Sequence, residues 1–333
     1  MVTKNLFTFN FRRVYMTKFI KKTIIFILIL FFLLFTFEMI VNTGLRKSDD
    51  FLLSEWNDIV NGEINSDIII NGSSRAWVHI SPKILEENIN LSTYNLGLDG
   101  FHFNMQYARF KSFLEYNEKP KVVIQTLDIF SLVNRNGLYK KEQFYPYLNE
   151  NHIYEATQDY KGLNWFDYNL PLIKYRTDPE YLIKGFLEFF SLYHFTNDKY
   201  KGFEAQKREW GNSFKKFHNE NKNGIEQKVN EDILLLFDTF LKKCKENNIQ
   251  VLLVYPPEYI EAQRLYTNRE EIIKIYREFA IKYNFYFLDY SDSFLSYKNK
   301  YFYNSQHLNK NGAVKFSNIL AEDLKKYKII QQE

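Results

Sequence analysis

Asp67-Ile68-Ile69-Ile70-Asn71-Gly72-Ser73-Ser74-Arg75-Ala76-Trp77 is the stretch that decides the fold of this chain. Ile68, Ile69 and Ile70 form a β-branched run of the kind that makes a strand buried on both faces. The run stops at a glycine and two serines, and Ser81-Pro82 then opens a helix, with Pro82 suited to its first position and Ser81 to its cap. Strand, tight Gly-Ser-Ser turn and helix hold a serine hydroxyl at the carboxyl edge of a parallel sheet, where ligands bind. With a histidine brought near by the fold, such a serine is a candidate nucleophile. Taken alone, Gly-Ser-Ser is more often an ordinary polar turn. The far end of the chain changes that balance.

Downstream, strand and helix patterns alternate. Short strands are expected at 92–96, 121–127, 249–255 and 285–288. Phe103, Tyr107, Phe110 and Leu114 space out an amphipathic helix, as do Ile233, Phe237, Phe240, Leu241 and Cys244 behind an Asn230 cap. Asn268 and Glu271 have the spacing of a capping box before Ile272, Ile275, Phe279 and Tyr283. Asn311 is read as opening the last helix, with Ala313, Phe316, Leu320 and Leu324 facing inward. The alternation predicts an α/β fold, a parallel sheet of about five strands with helices on both faces. From about 134 to 226 the periodicity fails, and this length is read as an insertion packed near the site. Its Tyr145, Tyr147, Trp165, Tyr168 and Trp210 are either the insertion's own core or stacking platforms for sugars, the former being the commoner use.

Upstream, residues 23–41 are apolar but for Thr23, Thr36 and Glu38. Nineteen residues in helix rise about 28 Å, close to the roughly 30 Å hydrocarbon layer of a bilayer. Arg12, Arg13, Lys18, Lys21 and Lys22 precede the run, which puts the N-terminus in the cytoplasm. No small-x-small site follows, so an uncleaved anchor is favoured over a signal peptide. Glu38, near the far end, is expected to reach headgroups and water. The expected organisation is a cytoplasmic basic segment (1–22), a transmembrane anchor (23–41), a juxtamembrane connector (42–62) with helix around 51–60, and one extracytoplasmic domain (63–333).

With 333 residues and 45% hydrophobic composition there is ample core material, and a net charge of +4, much of it N-terminal, gives nucleic-acid binding no support. The single cysteine, Cys244, rules out an intrachain disulfide and reads as a buried small hydrophobe. No His or carboxylate pair has metal-site spacing, and no cofactor is called for.

Between the last strand and last helix lies Tyr303-Asn304-Ser305-Gln306-His307-Leu308-Asn309-Lys310-Asn311-Gly312. It resembles the C-terminal block of the SGNH (GDSL-like) hydrolase superfamily, D-x-x-H-hydrophobic-N-x-x-G, in every position except the first, where Asn304 stands for aspartate. Gly72-Ser73-Ser74 resembles the first block, with Ser74 as nucleophile. The segment from Asn95 through Gly97-Leu98-Asp99-Gly100 resembles the second, whose last glycine gives an N–H to the oxyanion. The third block, usually G-x-N-D, falls at Thr126-Leu127-Asp128, without its glycine and with Asp128 in place of asparagine. The resemblance covers about residues 67–326 apart from the insertion, and implies a three-layer, flavodoxin-like fold. With its anchor, the layout is similar to extracytoplasmic proteins of teichoic-acid D-alanylation and alginate O-acetylation. That likeness implies a cell-surface polysaccharide or cell-wall polymer as substrate and a membrane-bound O-acyltransferase as partner.

A serine attacking an ester needs a base about 2.6–3.2 Å away. His307 is the first candidate and His102 the second; His79, His152, His194 and His218 are placed less well. The oxyanion is expected to meet the backbone N–H groups of Ser74 and Gly100, while a carboxylate at Asp128 accepts rather than donates. In a protease triad, asparagine for aspartate costs about ten-thousand-fold through the wrong histidine tautomer. Three expectations follow: a Ser74–His307 dyad, another group orienting His307 (Asp128 or a backbone carbonyl), or a slow enzyme. The alternative to all of them is a retained scaffold that binds polymer or a membrane partner without covalent chemistry.

Overall fold

The computed structural model describes residues 3–158 and 160–327, with side chains from residue 15 onward. The side chains of Arg12 and Arg13 of the basic flank, and the extreme ends of the 1–22 and 63–333 segments, lie outside these described parts. Helix α1 (Thr3–Leu45) and α2 (Ser54–Val60) precede β1 (Ile68–Asn71), α3 (Ser74–His79), α4 (Pro82–Ile89), β2 (Thr93–Asn95), α5 (Phe103–Tyr116) and β3 (Val122–Thr126). The long connection then holds α6 (Asn151–Gln158), α7 (Trp165–Asn169), α8 (Glu180–Phe189) and α9 (Ser213–Glu220). The sheet domain resumes with α10 (Glu231–Glu246), β4 (Gln250–Tyr255), α11 (Ile260–Gln263), α12 (Arg269–Tyr283), β5 (Tyr286–Asp289) and α13 (Lys310–Lys326).

The five strands form one sheet in the order β2-β1-β3-β4-β5, every pair parallel. This is the flavodoxin-like order, in which the carboxyl ends of β1 and β3 form a natural crevice. Alternation along the strands divides the core. Ile68, Ile70, Ile124, Leu252 and Val254 face Leu85 of α4 and Phe316, Leu320 and Leu324 of α13. Ile69, Val123, Val251 and Leu253 face the other way, onto Phe110 and Phe113 of α5 and Phe237 and Phe240 of α10. Covering both faces is what the near-continuous apolar strands require.

Some local expectations need correcting. Ser81 makes no side-chain cap; its N–H instead donates to Ser317 Oγ. Asn268 does not cap α12, because its amide is taken by Gln227 of the neighbouring segment. The last helix starts one residue before Asn311, capped by Asn309, whose Oδ1 accepts from Gly312 N at 3.0 Å. Asn230 does cap α10.

The span Tyr15–Leu45 of α1 is long and apolar enough to cross a membrane. The helix does not stop at 41 but continues as one rod to Leu45. Glu38 is not left to water, since it pairs with Lys174 at 2.8 Å and accepts from Leu172 N at 2.7 Å. The first half of the insertion thus clasps the base of α1: Tyr175 Oη donates to Asn42 Oδ1 at 2.6 Å, and Arg46 donates to Pro146 O at 2.8 Å. Tyr145 and Tyr147 are buried core residues. Trp210 packs on Tyr259 at 4.7 Å. Trp165 is exposed.

Candidate active site

β1 ends at Asn71, and Gly72 follows with φ +150, where a Cβ would lie 1.9 Å from Thr126 Oγ1. Only glycine lets the chain turn that close to β3. Ser73 then caps α3, its Oγ accepting from Arg75 N at 3.1 Å, so Ser74 is the first residue of a short helix. The turn expected to continue to Ser81 is therefore already helical at Ser74. Its Oγ lies 2.7 Å from His307 Nε2.

His307 is held by its own loop. Asn304 Oδ1 accepts from Gln306 N at 3.0 Å, from His307 N at 2.9 Å and from the His307 ring at Nδ1 at 3.0 Å. Two of these donors are backbone N–H groups, so the amide oxygen, and not its NH2, must face them. The ring nitrogen beside that oxygen therefore carries the proton, and Nε2 presents a lone pair to Ser74. The neutral residue at the aspartate position thus enforces the tautomer a base needs. What it lacks is the negative charge that would stabilise imidazolium. Burial, with Arg75 and Arg208 nearby, pushes the His307 pKa down to about 3. Tyr303 stacks on the imidazole at 5.3 Å, and Arg208, from the later part of the insertion, lies over the Tyr303 ring at 3.9 Å.

The second block runs beside the serine turn, with Leu98 bridged to Ser73 and its N–H donating to Gly72 O at 2.9 Å. Gly100 follows two residues on with φ +78, a conformation L-residues rarely adopt. Neither the Ser74 nor the Gly100 N–H has a hydrogen-bond partner among the described residues.

Asp128 turns to neither Ser74 Oγ nor His307. Its carboxylate meets Arg75 Nη1 at 3.0 Å and accepts from Ser73 Oγ at 2.5 Å, with the Arg75 and Asp128 side chains wholly buried. Its N–H donates to Ser131 Oγ at 2.9 Å. It is therefore not the group that orients His307, nor a free donor for an oxyanion. Arg75 is the residue that sequence reasoning passed over. It also pairs with Glu258 Oε2 at 3.5 Å, donates to Pro256 O and lies over the Tyr255 ring at 5.0 Å. A charged residue between the Ile68–Ile70 strand and Ala76-Trp77-Val78 was the available signal: buried arginine demands buried carboxylates.

Of the other histidines, His102 caps no group of α5; its Nδ1 lies 2.7 Å from Val133 O and its ring packs on Phe130. His79 is buried at the end of α3, where Nε2 accepts from Leu308 N at 3.0 Å and so supports the His307 loop. Burial and the charge of Arg75 keep it neutral, its pKa well below the ordinary range. His152 and His194 instead meet insertion or helix carboxylates.

Among solved structures, the chain is similar to an acetyl xylan esterase, with 13% identity over 78% of this chain and 98% of that one and a TM-score of 0.41. It is also similar to a GDSL-like lipase from Bacteroides thetaiotaomicron, with 11% identity over 78% and 88% of the two chains and a TM-score of 0.36. No family model and no curated protein matches.

Proposed function

We propose that this chain is a membrane-anchored serine enzyme of acyl-ester chemistry, an O-acyltransferase or acyl esterase acting outside the cytoplasmic membrane on a cell-surface polysaccharide or cell-wall polymer. The observation that carries this reading is the 2.7 Å approach of Ser74 Oγ to His307 Nε2, with Nδ1 pinned by Asn304 Oδ1. Ser74 Oγ attacks the acyl carbonyl while Nε2 takes its proton. The oxyanion is met by the N–H groups of Ser74 and Gly100. Collapse expels the alcohol, which takes the proton back from Nε2 and leaves Ser74 acylated. A sugar hydroxyl or water then attacks the acyl-enzyme, with His307 again accepting the proton, and collapse breaks the acyl bond to Ser74 Oγ, which takes that proton back from Nε2. The polymer and membrane parts of this reading rest on α1 and on the sequence resemblance, and a membrane-bound O-acyltransferase is the partner that would deliver the acyl group.

One observation favours a slow enzyme or a non-catalytic scaffold: burial and the charges of Arg75 and Arg208 disfavour a protonated His307, and Asn304 brings no negative charge to offset them. A fluorophosphonate probe separates the readings. Labelling of wild type that is lost in Ser74→Ala and weak in His307→Ala supports the enzyme. A folded wild type that resists every acyl probe yet binds polymer supports the scaffold.

A further inference from the structure

Helix α8 presents an apolar stripe that the other described residues leave largely open. Ile183, Phe186 and Phe190 share one face at i, i+3 and i+7 and are 63%, 38% and 50% exposed. Leu192 and Tyr193 extend the patch beyond the helix end. The opposite face, with Tyr181, Gly185 and Glu188, is buried.

What the stripe adjoins decides its meaning. α8 crosses α1 backbone against backbone: a Cβ on Gly44 would lie 1.8 Å from Gly185 O, and one on Gly185 2.4 Å from Val41 O. The Phe186 ring lies 6.3 Å from Phe37, near the end of the long exposed apolar flank of α1. The two apolar surfaces are therefore continuous. On the exit side they are bounded by polar clasps, Glu38 with Lys174 at 2.8 Å and Lys184 with Asp50 at 2.6 Å. The loop carrying Leu172, which bonds Glu38, follows α7, where Trp165 and Phe166 are exposed and packed edge to face at 5.4 Å. Aromatic side chains collect at membrane–water boundaries, and an amphipathic helix can seat its apolar face there. An uncovered patch of this extent is unusual on a face bathed by water.

We infer that α8, Leu192, Tyr193 and the Trp165-Phe166 pair lie in the boundary layer of the bilayer that α1 crosses, making the insertion a membrane-seated platform. This rests on reading α1 as a membrane anchor. A second seat removes the swivel that one helix allows, and so fixes how the catalytic sheet faces the membrane surface. The occupant of the stripe is lipid, because the stripe is an extension of the surface that α1 itself turns to lipid.

The test uses the full chain in phosphatidylcholine–phosphatidylglycerol nanodiscs, one chain per disc. The single native cysteine is buried, so nitroxide-labelled cysteines report one position at a time. Phe190→Cys and Leu192→Cys are compared with Phe26→Cys in the anchor and Leu235→Cys on the exposed face of α10. The inference expects labels at 190 and 192 to favour oxygen over a nickel chelate several-fold, as at 26, with the reverse at 235. Accessibility at 190 and 192 like that at 235, with 26 lipid-like, overturns the platform and leaves the anchor standing. A water-like label at 26 overturns both. Labels at 190 and 192 shielded from both reagents mean that protein covers the stripe, and this also overturns the inference. Brominated acyl chains give an independent reading, since they should quench wild-type fluorescence more than that of Trp165→Phe; equal quenching contradicts the placement of α7.

Discussion

At the scale of single residues, the site turns on Asn304 and Arg75. Asn304 supplies orientation without charge. Aspartate there can accept the same three donors, so Asn304→Asp is sterically conservative while placing a negative charge 3.0 Å from Nδ1. His307 acts as base only when neutral, that is above its pKa, which stands at about 3. The expected pH profile of probe labelling therefore shows no acid limb from His307 between roughly pH 5 and 7. In Asn304→Asp the added anion raises this pKa, moving an acid limb upward and increasing the rate above it, as measured by labelling against pH. An unchanged profile and rate would mean that charge is not what the site lacks. Arg75 acts through burial. Arg75→Met leaves Asp128 and Glu258 without their shared cation and should cost on the order of 3–5 kcal/mol in denaturant unfolding, with part of the loss restored by adding Asp128→Asn. Asp128 looked misplaced in the sequence only because its partner, 53 positions earlier, was not read with it. Pairing across two strand ends is a tertiary fact, and no local pattern encodes it.

At the scale of elements, the legible parts were those set by periodicity and by covering both faces of the sheet. Ile68, Ile69 and Ile70 became a central strand, and the five-stranded parallel sheet follows from the strand–helix alternation. Caps were less legible, because Asn309 and Asn311 are both plausible by composition and the choice depends on what else each can bond. Asn309 Nδ2 donates to Lys300 O at 2.8 Å and its Oδ1 accepts from Gly312 N, so one side chain ties the His307 loop to α13. Asn309→Ala should lower stability by about 1 kcal/mol and reduce Ser74 labelling more than stability alone explains. Thermal unfolding together with labelling rate checks both; a stability loss with full labelling would separate the cap from the site. The short helix α3 was missed for a related reason. Six residues carry too little periodicity to be seen, and the helix exists because Ser73 caps it and Arg75 anchors it.

At the scale of the whole molecule, the insertion does two things that its sequence did not announce: it clasps α1 at Glu38 and Asn42, and it brings Arg208 over Tyr303. Both contacts join segments too distant in sequence for pattern reading. The proposed topology puts the sheet domain outside the cytoplasmic membrane, so protease added to spheroplasts should digest it; protection of the domain would contradict this. Ser74 and His307 are 233 positions apart, so only the complete fold makes them one site. The most direct test is to treat the protein with an activated acetyl ester and locate the acetyl group by peptide mass spectrometry. The account predicts acetyl on Ser74, not on Ser73, with marked loss in folded His307→Ala. Folded wild-type protein that carries acetyl on other side chains but none on Ser74 would contradict it.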